Sequence, residues 1–174
     1  PFRGAGYSSL SWVDLDSDGD LDLAVTGFTN QVPSFRLLRN LAPVPNPPPS
    51  MPGSLTSTVG PGGSVELRWS ESLDANQPGG LTYNVRVGHG PLSADVVSPG
   101  ANATTGKLLA PARGNASTLR HMPLTNLTAG TYRWSVQAVD NGFASSPFAA
   151  EAEFVIPPGV PRIRNSVSSL LSLR

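Results

Sequence analysis

The chain has no cysteine, so neither disulfides nor thiolate metal sites hold it together. Lysine is almost as scarce. Lys107 stands alone among 12 basic residues, which balance 12 acidic ones to a formal net charge of zero. A neutral chain with 14% charged residues offers no basic face to nucleic acid or anionic lipid. No apolar run approaches the roughly 20 residues that cross a bilayer, so no membrane span is expected. Pro1 is preceded by no initiator Met and followed by no charged-then-apolar leader, so the sequence reads as an internal or processed piece of a longer chain. No window sustains a helical repeat. The signatures of nucleophilic and metal catalysis are missing too: there is no H-E-x-x-H and no G-x-S-x-G elbow, and His89 and His121 are each isolated. "GHGPLS" echoes a phosphate loop but precedes no helix, and nothing nominates a paired acid and base for glycoside hydrolysis. The chain is therefore not expected to be an enzyme.

Glycine and proline are abundant, 18 each in 174 residues, and they divide the sequence. Residues 1–41 alternate apolar and polar positions in "SLSWVDLD", "DLDLAVTG" and "SFRLLRNL", each a plausible strand. Residues 42–53, "APVPNPPPSMPG", hold six prolines in twelve positions and read as a semi-rigid spacer between domains. Residues 54–156 return to strand alternation in seven segments, among them "SVELRWS", "LTYNVRVG", "ADVVS" and "TYRWSVQAV", separated by turn clusters such as "NQPGG" and "DNG". Seven short strands over about a hundred residues point to a β-sandwich. Residues 157–174 form a proline-stopped, Ser/Leu-rich tail.

Acidity is concentrated in one place. Five of the eight aspartates fall on alternate positions of "DLDSDGDLD", where like charges repel unless something neutralises them. A D-x-D-x-D-G-x-x-D loop suits a hard cation, since calcium takes six to eight oxygen ligands. Asp14, Asp16 and Asp18 would give side-chain oxygens, Gly19 the sharp turn, Asp20 a backbone carbonyl, and Asp22 the closing carboxylate. An EF-hand needs Glu at its twelfth position, where Val25 stands, and helices on both sides, where the flanks read as strands. The bland alternative is a solvated acidic turn without metal. Where calcium does bind, the expected role is a structural staple.

The flanks add a family. "SLSWVDLDSDGDLDLAVTG" followed by "SFRLLRNL" resembles one FG-GAP or VCBS-type repeat, the calcium-binding blade of integrin-like β-propellers, over roughly residues 5–41. The resemblance implies calcium (Ca2+) on Asp14, Asp16, Asp18, Asp20 and Asp22. A single repeat does not make a propeller, so the blade would need a neighbour. Residues 50–156 resemble a fibronectin type III domain, especially the version that follows VCBS repeats in secreted bacterial proteins. "VELRWSES" resembles its second strand with Trp69 as core tryptophan, and "LTAGTYRWSVQAVDNG" places Tyr132 at the corner that this fold uses. Alternation sends Tyr132, Trp134, Val136 and Ala138 inward, and Arg133, Ser135 and Gln137 outward toward water.

Aromatic residues also raise sugar stacking, but Trp69, Tyr83, Tyr132 and Trp134 sit at inward phase and read as core. Phe143 and Phe148 are better candidates for an exposed patch. Three Asn sequons, at Asn102, Asn115 and Asn126, read as incidental in a bacterial chain. The fold class expected is all-β: a single propeller-type blade linked to a fibronectin type III-like sandwich. The function expected is a non-catalytic, extracellular, calcium-binding module for display, adhesion or assembly at a cell surface. Its partners would be a protein or glycan, or further copies through the blade edge or the tail. Two rivals are an accessory region of a secreted enzyme with its catalytic domain upstream, and a subunit of a surface filament or sheath.

Overall fold

The computed structural model describes residues 5–16, 20–42 and 46–159, and every regular element longer than one turn among them is a strand. The first three strands, β1 (Gly6–Val13), β2 (Asp22–Thr29) and β3 (Val32–Leu38), form an antiparallel meander in that order. β2 and β3 join through Asn30 and Gln31, both left-handed with φ of 53° and 64°, as a two-residue hairpin turn requires. Cross-strand pairs put Leu10 opposite Val25 and Trp12 opposite Leu23 on one face. The other face carries Phe28 together with Phe35, opposite Thr26, and Leu37, opposite Ala24. Both faces are thus apolar, yet only Val25 among the meander's described apolar residues is buried; Leu10, Trp12, Phe28, Phe35 and Leu37 are exposed.

The remaining six strands make two sheets. β4 (Thr56–Gly60), β5 (Ser64–Arg68) and β7 (His121–Leu124) form one; β6 (Thr82–Gly88), β8 (Gly130–Val139) and β9 (Ala152–Ile156) form the other. The chain passes from the first sheet to the second at β6, returns at β7 and crosses again at β8. This interleaving belongs to immunoglobulin-like sandwiches, whose architecture fibronectin type III domains share. Between the sheets, Val65, Leu67 and Trp69 face Tyr83, Val85, Trp134, Val136 and Ile156, all buried. Trp69 sits edge-on to Tyr83 at 5.7 Å and 6.3 Å from Trp134, and Tyr132 stacks on Phe154 at 5.1 Å. The four aromatics read as core are core. The Tyr132 hydroxyl donates to the Thr128 carbonyl at 2.9 Å, so the corner bond is made. At the β4–β5 turn Gly63 has φ of 69°, and a Cβ there would lie 2.2 Å from the Leu127 carbonyl oxygen, so no other residue fits.

Two expectations are corrected. "ADVVS" is not an extended strand; it makes one isolated bridge, between Val87 and Val97. Asp95, at its start, is taken up by Ser93 and His89, and Pro99–Gly100 ends the segment. Nor does the outer face of β8 meet water beyond its first residues: Thr131 is exposed and Arg133 partly so, but Ser135 and Gln137 are fully buried. The long excursion over residues 89–119 and the segment after Ala144 fold across that face. Gln137 Nε2 donates to the Gly106 carbonyl at 3.1 Å, and Ser135 Oγ to the Ala149 carbonyl at 2.6 Å. Arg86, also on this side, is buried beneath Phe148 and pairs with Glu151 at 2.7 Å.

Candidate functional site

The acidic turn joins β1 to β2, at the end of the meander that rests against the sandwich. Asp22 opens β2 and is almost wholly buried. Its Oδ2 accepts the Leu15 amide at 2.9 Å and its Oδ1 the Asn40 amide at 2.7 Å, so one carboxylate ties both ends of the meander together. Asp20, also buried, accepts the Asn46 amide at 3.0 Å. Asp16 pairs with Arg39, just beyond β3. Asp14 accepts from Lys107 Nζ at 2.8 Å, so the single lysine of the chain reaches across from the sandwich to its densest group of carboxylates. Asp18 and Gly19 lie outside the described residues.

Among the described residues no three His, Asp or Glu side chains gather at metal-binding spacing. The donor chemistry of the turn still fits a hard cation. It offers oxygen alone, and each Asp22 oxygen keeps a lone pair after accepting one amide. Asp14 and Asp16 are neutralised by Lys107 and Arg39, whose side chains are more than half exposed.

The proline-rich stretch is part of this junction. Asn46, the polar residue within the proline run, gives its amide to Asp20 and its Nδ2 to Asp140 Oδ2 at 2.6 Å, bridging meander and sandwich. Farther on, Ser50 and Leu73 exchange hydrogen bonds, as do Gly53 and Ser70, so residues 50–53 run beside the sandwich rather than away from it. Two clefts flank the junction. One, of about 510 Å³, lies between Trp12 and the loop tips carrying Asn76 and Asn141. The other, of about 660 Å³, lies between Val13 and the Leu108–Pro111 stretch; Phe143 lines both.

Each histidine pairs with a carboxylate. His89 Nδ1 lies 2.5 Å from Asp95 Oδ2, with Ser93 Oγ on the other carboxylate oxygen. The acid stands between hydroxyl and imidazole, so the ring cannot act as base toward Ser93. These hydrogen bonds, from Ser93 first and then His89, hold the Asp95 carboxyl well below the usual range. His121 faces Glu66. Burial pushes Glu151 upward, but the Arg86 bond, the Leu92 amide and the charges of Arg86 and Arg133 outweigh it, leaving its carboxyl below the ordinary value.

Sequence reasoning missed Lys107, Asn46 and the Arg86–Glu151 pair, because each acts only through a partner distant in sequence. The scarcity of lysine was the one available signal. Asn115 was read as an incidental sequon; its side chain instead bonds the Val85 amide at 2.8 Å and the Val85 carbonyl at 2.7 Å, as a strand neighbour would. Phe143, proposed as exposed, is half-buried in the clefts, and Phe148 covers Arg86.

No family model and no curated protein matches the chain. Among solved structures it is similar to the fibronectin type III domain of human fibronectin type III domain containing protein 3, at 17% identity and a TM-score of 0.44, covering 67% of this chain and 94% of that one. It is also similar to domains d3–d4 of the rat CD45 extracellular region, at 12% identity and a TM-score of 0.44, covering 90% of this chain and 66% of that one.

Proposed function

We propose that the chain is a non-catalytic, extracellular binding and assembly module whose meander is one blade of a larger sheet array, stapled by calcium at Asp14, Asp16, Asp18, Asp20 and Asp22. The observation that carries this reading is the meander itself. Three strands with apolar side chains exposed on both faces have no independent hydrophobic core. Such a sheet is built to sit between neighbours. Its outer strands β1 and β3 each pair on one side only among the described residues, which leaves backbone groups open to strand addition. The surface of Phe28, Phe35 and Leu37 suits a second apolar sheet of the same kind. Calcium would supply the charge neutralisation that the turn otherwise draws from Lys107 and Arg39, and would stabilise the folded turn by mass action. The C-terminal tail, proposed as a second pairing element, lies outside the described residues from residue 160 onward.

Titration calorimetry with calcium chloride tests the staple. One saturable site is expected, abolished in Asp18→Ala. No uptake by the intact chain overturns the metal assignment. Analytical ultracentrifugation tests assembly: self-association that weakens in Phe35→Ser supports it, and a strictly monomeric chain with a stably folded meander sinks it.

A further inference from the structure

We propose that the cleft between Trp12 and the sandwich loop tips binds a neutral saccharide. The inference rests on the reading of the chain as a binding module and names its ligand class, but it does not depend on calcium. Trp12 is 54% exposed at the end of β1, on the meander face opposite Phe28, Phe35 and Leu37, with its ring toward the cleft. Phe143 closes another side. It is held at φ of 64°, a conformation that a bulky residue adopts only where its surroundings impose it. A turn fixes it there: its amide donates to the Asp140 carbonyl at 3.2 Å, and the Ala144 amide to Asp140 Oδ1 at 2.9 Å.

The polar lining is organised in the same way. Asn76 and Asn141 have their backbones tied down, Asn76 N to Asp74 at 2.7 Å and Asn141 N to Gln77 Oε1 at 2.9 Å. Gln77 is anchored in turn through Nε2 to the Gly79 carbonyl at 2.6 Å. Among the described residues, the side-chain amides of Asn76 and Asn141 have no protein partner, and Asn40 keeps its Nδ2 donor unused. Fixed loops therefore present unengaged amides, each both donor and acceptor, opposite an accessible indole.

The lining selects the ligand by exclusion as well. Among the described residues no Lys, Arg or His borders the cleft, so phosphate, sulfate and carboxylate groups find no counter-charge there. Asp140 already accepts from Asn46 on one oxygen and from the Ala144 amide on the other, and Asp20 belongs to the acidic turn and accepts the Asn46 amide, so neither is a free anchor for a charged ligand in the cleft. The amides of Asn40, Asn76 and Asn141 set among Trp12, Leu21 and Phe143 would be left without partners by a lipid chain. Hydroxyl groups that donate and accept, on a ring whose C–H face stacks on indole, match what remains. The volume of about 510 Å³ falls within the roughly 300–1,000 Å³ of small-ligand sites.

The test is binding of the intact chain to immobilised neutral glucans, mannans, galactans and xylans, with sulfated counterparts as controls. Saturable binding to a neutral polysaccharide is expected. It should be competed by its free oligosaccharide, accompanied by protection of Trp12 from acrylamide quenching, and weakened about tenfold or more in Trp12→Ala and in Asn76→Ala/Asn141→Ala. Phe35→Ser, on the opposite face, should bind as the unaltered chain does. The loop double variant keeps the test valid should Trp12→Ala disturb the meander. No binding to any neutral glycan at millimolar sites, preference for the sulfated forms, or undiminished binding by both cleft variants overturns the proposal. So does loss of self-association in Trp12→Ala without saccharide binding, which makes Trp12 part of a protein seam. If glycan binding fails while self-association and calcium uptake persist, the module reading stands and the cleft assignment alone falls.

Discussion

At the scale of single residues, stability rests on side chains that have no alternative partner. Trp134 and Trp69 fill the space between the sheets, and truncation to alanine should cost about 3–5 kcal/mol each in urea unfolding of the sandwich. Glu151→Ala should be comparably severe, at about 3–5 kcal/mol, because it leaves the buried Arg86 guanidinium uncompensated. Acid should act through the same groups. Asp95 and Glu151 both titrate below their ordinary values, so the unfolded chain binds more protons than the folded one as pH falls. Their contribution is fully present above the usual carboxylate range and is lost as pH drops through their depressed folded values. Stability measured from neutral to acid pH should fall accordingly, and Glu151→Gln should flatten that fall.

Elements show how little each would hold alone. The meander is clamped by Asp22, whose two oxygens reach the Leu15 and Asn40 amides. Asp22→Ala should speed hydrogen exchange at those two amides and through residues 14–40, while leaving β8 as protected as before. The sandwich is different in kind, for it buries its own core. Residues 50–156 should fold without the meander and without calcium, giving a cooperative unfolding transition insensitive to a chelator.

Over the whole molecule, the junction sets what the two parts can do together. Lys107 and Asn46 hold the acidic turn against the sandwich, and the two clefts flank the junction they make. Lys107 is more than half exposed but Asp14 is largely buried, so Lys107→Ala, which withdraws the ammonium from that carboxylate, should cost about 1–3 kcal/mol. It should also loosen the docking, seen as faster exchange at residues 14–16 and 20–22. Asn46→Ala, which removes the Nδ2 bond to Asp140, should do the same from the other side.

The strand pattern and the core aromatics were legible in the sequence, since alternation is local and large apolar side chains have only the interior to go to. The acidic turn was legible for the same reason, being a feature of nine consecutive residues. Which way Ser135 and Gln137 faced was not. Alternation says only that they oppose Trp134, and water or protein on that side depends on where the 89–119 excursion folds. Likewise Asn115 has no structural role legible in its sequon until Val85 comes to lie beside it, and "ADVVS" reads as a strand although Asp95 is claimed by Ser93 and His89. The partners of Asp14 and Asp20, Lys107 and Asn46, lie 93 and 26 residues away along the chain. Local propensity reads contacts within a turn or a strand. Those that close loops of such lengths are chosen only when the sheets have packed and brought their ends together.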